Sequence, residues 1–233
     1  MIPSAFLFLS MLATADDSKS QLPSSDEVVA RMIQNDRERQ SALDGYTAAR
    51  RYILENRNHN KRAEMLVRVT CLKNGSKQFE TVSSSGWGAA RKHVFPRLLE
   101  AEAEASTLRE QSRITPENYS FEMAGTDSVG GRPAYVLQIA PKTSNKYLMR
   151  GKIWVDAEEY AIVRTEGTPA KNPSFWIKSV HFVHTYEKQG QFWFPVFDRS
   201  VTDARIFGAT DVSIDYFEYV PNPFRETSQG RLP

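Results

Sequence analysis

Between Tyr147 and Tyr219 the chain is almost continuously strand-like, and this tract limits what the rest can become. It opens with Gly151-Lys-Ile-Trp-Val-Asp156 and Tyr160-Ala-Ile-Val-Arg164. Three longer runs follow: Trp176 to Glu187, Phe192 to Arg205 and Ala209 to Tyr219. Val, Ile, Phe, Trp and Tyr dominate them, residues that suit a pleated, half-buried surface. The separators Ala157-Glu-Glu159, Lys188-Gln-Gly-Gln191 and Ile206-Phe-Gly208 are too short for a parallel crossover, which needs about a dozen residues. The tract therefore predicts an antiparallel meander.

Alternation shows how such a sheet would face. In the last run Val212, Ile214 and Tyr216 point one way, and Asp211, Ser213 and Asp215 the other, as expected of one apolar and one wet face. Tyr135, Leu137 and Ile139 form a similar stripe after the turn Val129-Gly-Gly-Arg132, and Ile153 and Val155 are an in-phase pair on the next strand. If both faces point inward, these five residues line adjacent parts of one pocket wall. The alternative is that they pack beneath the first helix. A sheet of this extent must pack on something or curl around something.

Upstream, Leu22 to Leu43 predicts an amphipathic helix, capped by Ser24 or Ser25 and stopped by Gly45, with Val28, Val29, Met32 and Ile33 on one side. Strands are expected over Tyr46 to Asn56 and Arg62 to Leu72, with Lys77 to Ser83 pairing back across the turn Lys73-Asn-Gly-Ser76. Residues 84–113 break the pattern. Pro96 suits the first turn of a helix, and Leu98 to Arg109 is rich in strong helix formers. Its apolar face is thin (Leu98, Leu99, Ala101, Ala105, Leu108), which predicts a covering layer rather than a core element. Tyr119 to Gly125 and Pro133 to Pro141 resume the strands. The whole reads as mainly β (α+β), with about ten strands and two helices.

The chain has 233 residues, 40% hydrophobic and 25% charged, consistent with one globular domain. Met1 to Ala15 reads as a signal peptide, with an apolar Ile2 to Leu12 and an Ala13-Thr-Ala15 cleavage site before Asp16-Asp17. A buried N-terminal strand is the alternative. The segment is too short to span a bilayer, and no cysteine follows it to carry a lipid. A soluble exported protein is expected, with the domain over residues 16–233 and a loosely held tail from Pro221. A formal charge of +2 gives no reason to expect nucleic acid or an anionic membrane as the main partner. The single cysteine, Cys71, alternates with Val67 and Val69 and is expected to be an inert buried thiol.

Catalytic signatures are scarce. His181 and His184 are three apart on a predicted strand and face opposite sides, so they cannot share a metal. Asp198, Asp203, Asp211 and Asp215 lie among Arg199, Ser200, Thr202 and Arg205, as on a solvated sheet face. No nucleophile elbow, phosphate-cradling glycine loop or zincin motif occurs. A non-enzymatic protein without cofactor or metal is the expectation. The thirteen Phe, nine Tyr and four Trp fit a well-filled core, or the lining of a concave apolar site.

The order of amphipathic helix, three strands, helical insertion and long meander resembles the LolA-like lipoprotein-sorting family. Arg132-Pro-Ala-Tyr-Val-Leu137 with Pro141, Gly151-Lys-Ile-Trp-Val-Asp156, Tyr160-Ala-Ile-Val-Arg164 and the closing Asp211-Val-Ser-Ile-Asp-Tyr-Phe-Glu-Tyr219 carry the resemblance. It implies an unclosed antiparallel barrel of about eleven strands, with helices as a lid over an apolar cavity for acyl chains. The same scaffold resembles the sensing domain of the RseB/MucB regulators. The family's carriers latch the lid with an arginine after the second long strand, but the matching turn here reads Lys73-Asn74-Gly75. Arg50 and Arg68 both lie near enough to substitute.

The resemblance implies a monomeric periplasmic carrier that shields acyl chains of a lipid or lipoprotein between membrane-bound donor and acceptor proteins. Ten buried methylenes would supply roughly 8 kcal/mol before entropic costs, enough to hold a chain yet permit hand-off. A sensor module binding lipoproteins and a membrane-anchored partner is the alternative. The sensors' usual second domain is not expected, since the chain ends soon after the last strand. An envelope-polymer hydrolase is a third reading.

Overall fold

The computed structural model describes residues 22–172, 177–204 and 208–223. The expected signal peptide, the starts and ends of two predicted runs at Trp176 and Arg205, most of the Ile206-Phe-Gly208 separator and the tail beyond residue 223 lie outside them. Among the described residues, ten strands form one sheet: β1 (Leu43–Asn56), β2 (Lys61–Leu72), β3 (Lys77–Gly86), β4 (Tyr119–Val129), β5 (Arg132–Pro141), β6 (Met149–Asp156), β7 (Ile162–Pro169), β8 (Ile177–Gln189), β9 (Phe192–Ala204) and β10 (Gly208–Pro223). Helix α1 (Ser25–Ser41) precedes them. A π-helical turn (Ala90–Val94), α2 (Phe95–Thr107) and α3 (Arg109–Ser112) connect β3 to β4.

The strand order is β3-β2-β1-β10-β9-β8-β7-β6-β5-β4, antiparallel throughout. The first and last strands pair inside the sheet, third and fourth from the β3 edge, from Leu43 opposite Pro223 to Asn56 opposite Thr210. Two meanders are thus joined by β1 and β10, leaving β3 and β4 as free edges of an unclosed barrel. The helical insertion bridges these edges.

Local chemistry accounts for the ends of α1. Ser24 caps it, its Oγ accepting the Glu27 backbone N–H at 3.2 Å, with Asp26 and Glu27 in the positive first turn. The helix ends at Ala42 rather than at Gly45. Gly45 belongs to β1, where a Cβ would sit 2.3 Å from the Cys71 carbonyl oxygen, so its role is close approach between strands. Cys71 is half-buried rather than buried, lying one residue before the end of β2. Pro96 sits in the first turn of α2, where its missing N–H costs nothing.

The concave face carries two apolar clusters. Val28, Val29 and Met32 of α1 pack on Tyr119, Leu137, Ile139, Leu148, Met149, Ile153 and Val155. Ala90 and Phe95 of the insertion pack on Tyr52, Leu54, Ala63, Met65, Val67 and Val69. A smaller cluster of Ala134, Val136, Trp154 and Val163 sits apart from both.

Register shows what lies between. One residue from each strand forms a continuous row: Met123, Leu137, Ile153, Thr165, His184, Asp198, Ile214, Tyr52, Met65 and Ser84. Directly opposed residues share a face. The row is apolar on the α1 side, polar across Thr165, His184 and Asp198, and largely apolar again under the insertion. The two helical covers therefore sit on the apolar flanks, with a polar trough between them.

Candidate functional site

A cavity of about 410 Å³ opens beside α1. Met32 and Ile33 of α1, Ile114 of segment 112–115, and Ala161 and Ile162 at the start of β7 form its apolar walls. Phe192, Trp193, Phe194 and Pro195 of β9, with Tyr46 and Tyr186, line the strand side. Much of this lining is an aromatic cluster: Phe194 stacks on Tyr219 with centroids 4.4 Å apart, and Tyr46 meets Phe194 edge-on at 5.1 Å. Burial pushes the Tyr46 and Tyr186 hydroxyls well above the usual phenol range, so both present neutral groups.

The mouth is polar. Asp36 accepts a hydrogen bond from Gln40 at 2.5 Å and lies 3.7 Å from the Arg113 guanidinium. Arg39 donates to the Glu159 carbonyl at 3.2 Å, and Asn35 donates to the same oxygen at 2.9 Å. Burial lowers the Arg39 pKa, with Asp36 and Glu159 acting against it. An apolar interior with a few placed polar groups at the rim is the usual build of a small-molecule site.

The five residues expected to line the pocket are brought together, but not onto this cavity. Tyr135 stands opposite Val155 and Leu137 opposite Ile153, while Ile139 faces Gly151. Leu137, Ile139, Ile153 and Val155 are fully buried beneath α1, and Tyr135 packs at the edge of that cluster beside Tyr160. Their wall abuts the cavity through Met32, Ile33, Ile114 and Ile162, which belong to both. Alternation could not place the cavity, because helix docking decides which part of an inward face is filled. The run Phe192-Trp-Phe-Pro195 was its available signal, four large side chains directly after a turn.

Between Arg50 and Arg68, the structure selects Arg50 as the residue holding the insertion. Arg68 is exposed beside Glu80. Arg50 is fully buried, and its Nη1 lies 2.7 and 2.8 Å from the two carboxylate oxygens of Glu102 on α2. Lys77 Nζ adds a contact to Glu102 at 2.7 Å, and the Tyr52 hydroxyl another at 3.3 Å. Burial alone would raise the Glu102 pKa, but Lys77 and Arg50 hold it down at about 2. The Arg50 guanidinium also lies 4.7 Å from the Tyr216 ring centroid.

The tyrosine continues this network. Its hydroxyl donates to Asp198, whose other oxygen is 2.7 Å from His184 Nδ1. Asp198 is thus a correction to the solvated-face expectation: register sets it opposite Ile214 and His184 on the concave side. Asp211 keeps to the other face, paired with Arg57 and Arg199. His181 and His184 take opposite faces, His181 beside Glu166 at 3.5 Å.

The chain's residues 30–172 match the family model of the MucB/RseB N-terminal domain. No curated protein matches it. Among solved structures, it resembles an outer membrane lipoprotein-sorting protein domain, so named, from Vibrio parahaemolyticus, at 13% identity and a TM-score of 0.47, covering 88% of this chain and 95% of that one. A LolA superfamily protein from Nitrosomonas europaea aligns at 10% identity and a TM-score of 0.41, covering 88% and 95%. The MucA/MucB complex of Pseudomonas aeruginosa aligns at 10% identity and a TM-score of 0.24, covering 84% and 98%. With the family model spanning more than half of its length, the chain belongs to the MucB/RseB N-terminal domain family.

Proposed function

We propose that this domain works in the periplasm by holding an acyl chain of a lipid or lipoprotein, as a carrier between membranes. The observation that carries the reading is the aromatic-walled cavity beside α1, closed on one side by a helix and open at a polar mouth. Its volume of about 410 Å³ falls within the usual range for small-molecule sites, about 300–1,000 Å³. When α1 lifts, the chain reaches past Met32 to the wall of Tyr135, Leu137, Ile139, Ile153 and Val155. Holding a chain this way needs no covalent step, no cofactor and no metal.

Uptake of a fluorescent fatty acid tests the reading. Ile162→Trp, which narrows the cavity at a half-buried position, should weaken uptake at least tenfold while moving the thermal midpoint only a few degrees. Undiminished uptake would defeat the proposed site. Native mass spectrometry of periplasmic protein should also show a co-purifying lipid.

The family match favours a second reading, a regulatory module that binds lipoproteins and a membrane-anchored partner. The two separate on transfer. A carrier moves bound lipid from donor to acceptor vesicles catalytically, whereas a sensor retains it and changes affinity for a protein.

A further inference from the structure

From Thr81 to Leu99 the chain contains no aspartate or glutamate. The stretch covers the end of edge strand β3, the π-helical turn and the first turn of α2. Arg91, Lys92, His93 and Arg97 are all exposed there, and the Arg91, Lys92 and Arg97 side chains make no ion pair with any described carboxylate. Among the other described residues, most arginines and lysines are in ion pairs. On α2 itself the carboxylates Glu102 and Glu104 are taken up by Arg50, Lys77 and Lys146 farther along the helix, while Glu100, exposed about one turn beyond Arg97, makes no ion pair with the three cations.

Helix stability does not explain this arrangement. A helix start is its positive pole, so cations there are disfavoured. Nor do these residues pack: the same turns bury Ala90 and Phe95 and turn the cations outward. Beside them are Val82, 50% exposed on edge strand β3, and Trp87, half-buried against the Tyr52 cluster. Three exposed cations beside an exposed aliphatic residue, with no carboxylate between Thr81 and Leu99, are the chemistry that suits the headgroup layer of an anionic bilayer.

We propose that this basic end of the helical insertion docks on an anionic phospholipid surface. The inference goes beyond the acyl-chain reading, since none of these residues lines the cavity beside α1, and it holds whatever that cavity carries. Docking would set β3 and the start of the insertion on the membrane, with α1 and the cavity mouth elsewhere on the molecule.

Sedimentation of the full chain with vesicles provides the test, using phosphatidylcholine alone and phosphatidylcholine with roughly one part in three phosphatidylglycerol. Binding is expected only with the anionic lipid at low salt, and should disappear near 1 M salt, where screening acts within about 3 Å. Arg91→Gln/Lys92→Gln/Arg97→Gln should weaken binding about 100-fold, at roughly fivefold per side chain. Arg150→Gln/Lys152→Gln, two other exposed basic residues, should leave it unchanged, and a thermal melt checks that both variants fold. Wild-type protein that ignores anionic vesicles, binds both vesicle types equally, or loses nothing in the triple variant would overturn the proposal. Because fatty-acid uptake is a separate measurement, failure of docking leaves the cavity reading standing, and failure of uptake leaves docking standing.

Discussion

Arg50 shows how much one residue can depend on a distant one. Its charge has no exposure to water, so Glu102 is what makes it tolerable. Removing one partner of such a pair costs about 3–5 kcal/mol, mostly from the charge left behind, whereas replacing both is often neutral. Glu102→Ala should therefore destabilise strongly, and Arg50→Met/Glu102→Leu should recover much of the loss in a double-mutant cycle read by urea unfolding. The pair also sets a pH dependence. The folded-state pKa of Glu102, about 2, lies below its ordinary 4.5, so its contribution is complete above 4.5 and lost as pH falls from 4.5 to 2. Acid titration of the thermal midpoint should show that decline, and Glu102→Gln should flatten it. Leu137, buried beneath α1, gives a contrasting case: Leu137→Ala should cost about 2–5 kcal/mol, and Leu137→Trp should also destabilise by overpacking. A stable Leu137→Trp variant with impaired fatty-acid uptake would instead place the residue on an open cavity wall.

Elements differ in how firmly they are held. In α2 only Phe95 is fully buried, and the helix relies on Leu98, Leu99 and the contacts of Glu102 and Glu104. Strands β6 and β7 instead lie mid-sheet with fully buried Ile153 and Val155. Few buried contacts mean low local stability, so amides from Leu98 to Leu108 should exchange faster than those from Ile153 to Val163 and slow when lipid binds. Equal protection in hydrogen-exchange mass spectrometry would make α2 a core element. The thin apolar stripe of α2 was visible in the sequence, and so were most strands, because alternation and turn residues are local signals. The π-helical turn was not, since it depends on how Ala90 and Phe95 meet the sheet together. The extra length of β4, to Val129, was hidden by the register shift beside Gly125.

At the scale of the whole molecule, pairing of β1 with β10 turns two meanders into one curved surface. Hairpin-linked strands need only short-range closure, whereas this pairing must close a loop of nearly the whole domain, a large entropic cost on the folding path. Ile214→Ala, on β10 opposite Tyr52, should therefore slow folding more than Val136→Ala in β5, as stopped-flow refolding would show. Export belongs to this scale as well. If Ala13-Thr-Ala15 is cleaved, N-terminal sequencing of protein from the periplasmic fraction should begin at Asp16, and a start at Met1 would rule this out.

What the sequence determined by itself was set by neighbours along the chain. Val212, Ile214 and Tyr216 alternate because a strand has period two, short turns force antiparallel pairing, and Val28, Val29 and Met32 share a helix face at helical spacing. The tertiary structure alone decided which inward faces were filled. It buried Leu137 and Ile153 under α1, left the cavity to Met32, Ile162 and Phe194, chose Arg50 over Arg68, and turned Asp198 inward to His184. These outcomes follow from where helices dock and how strands register across the β1–β10 seam. Such contacts join residues far apart in sequence, and no local pattern encodes their distance.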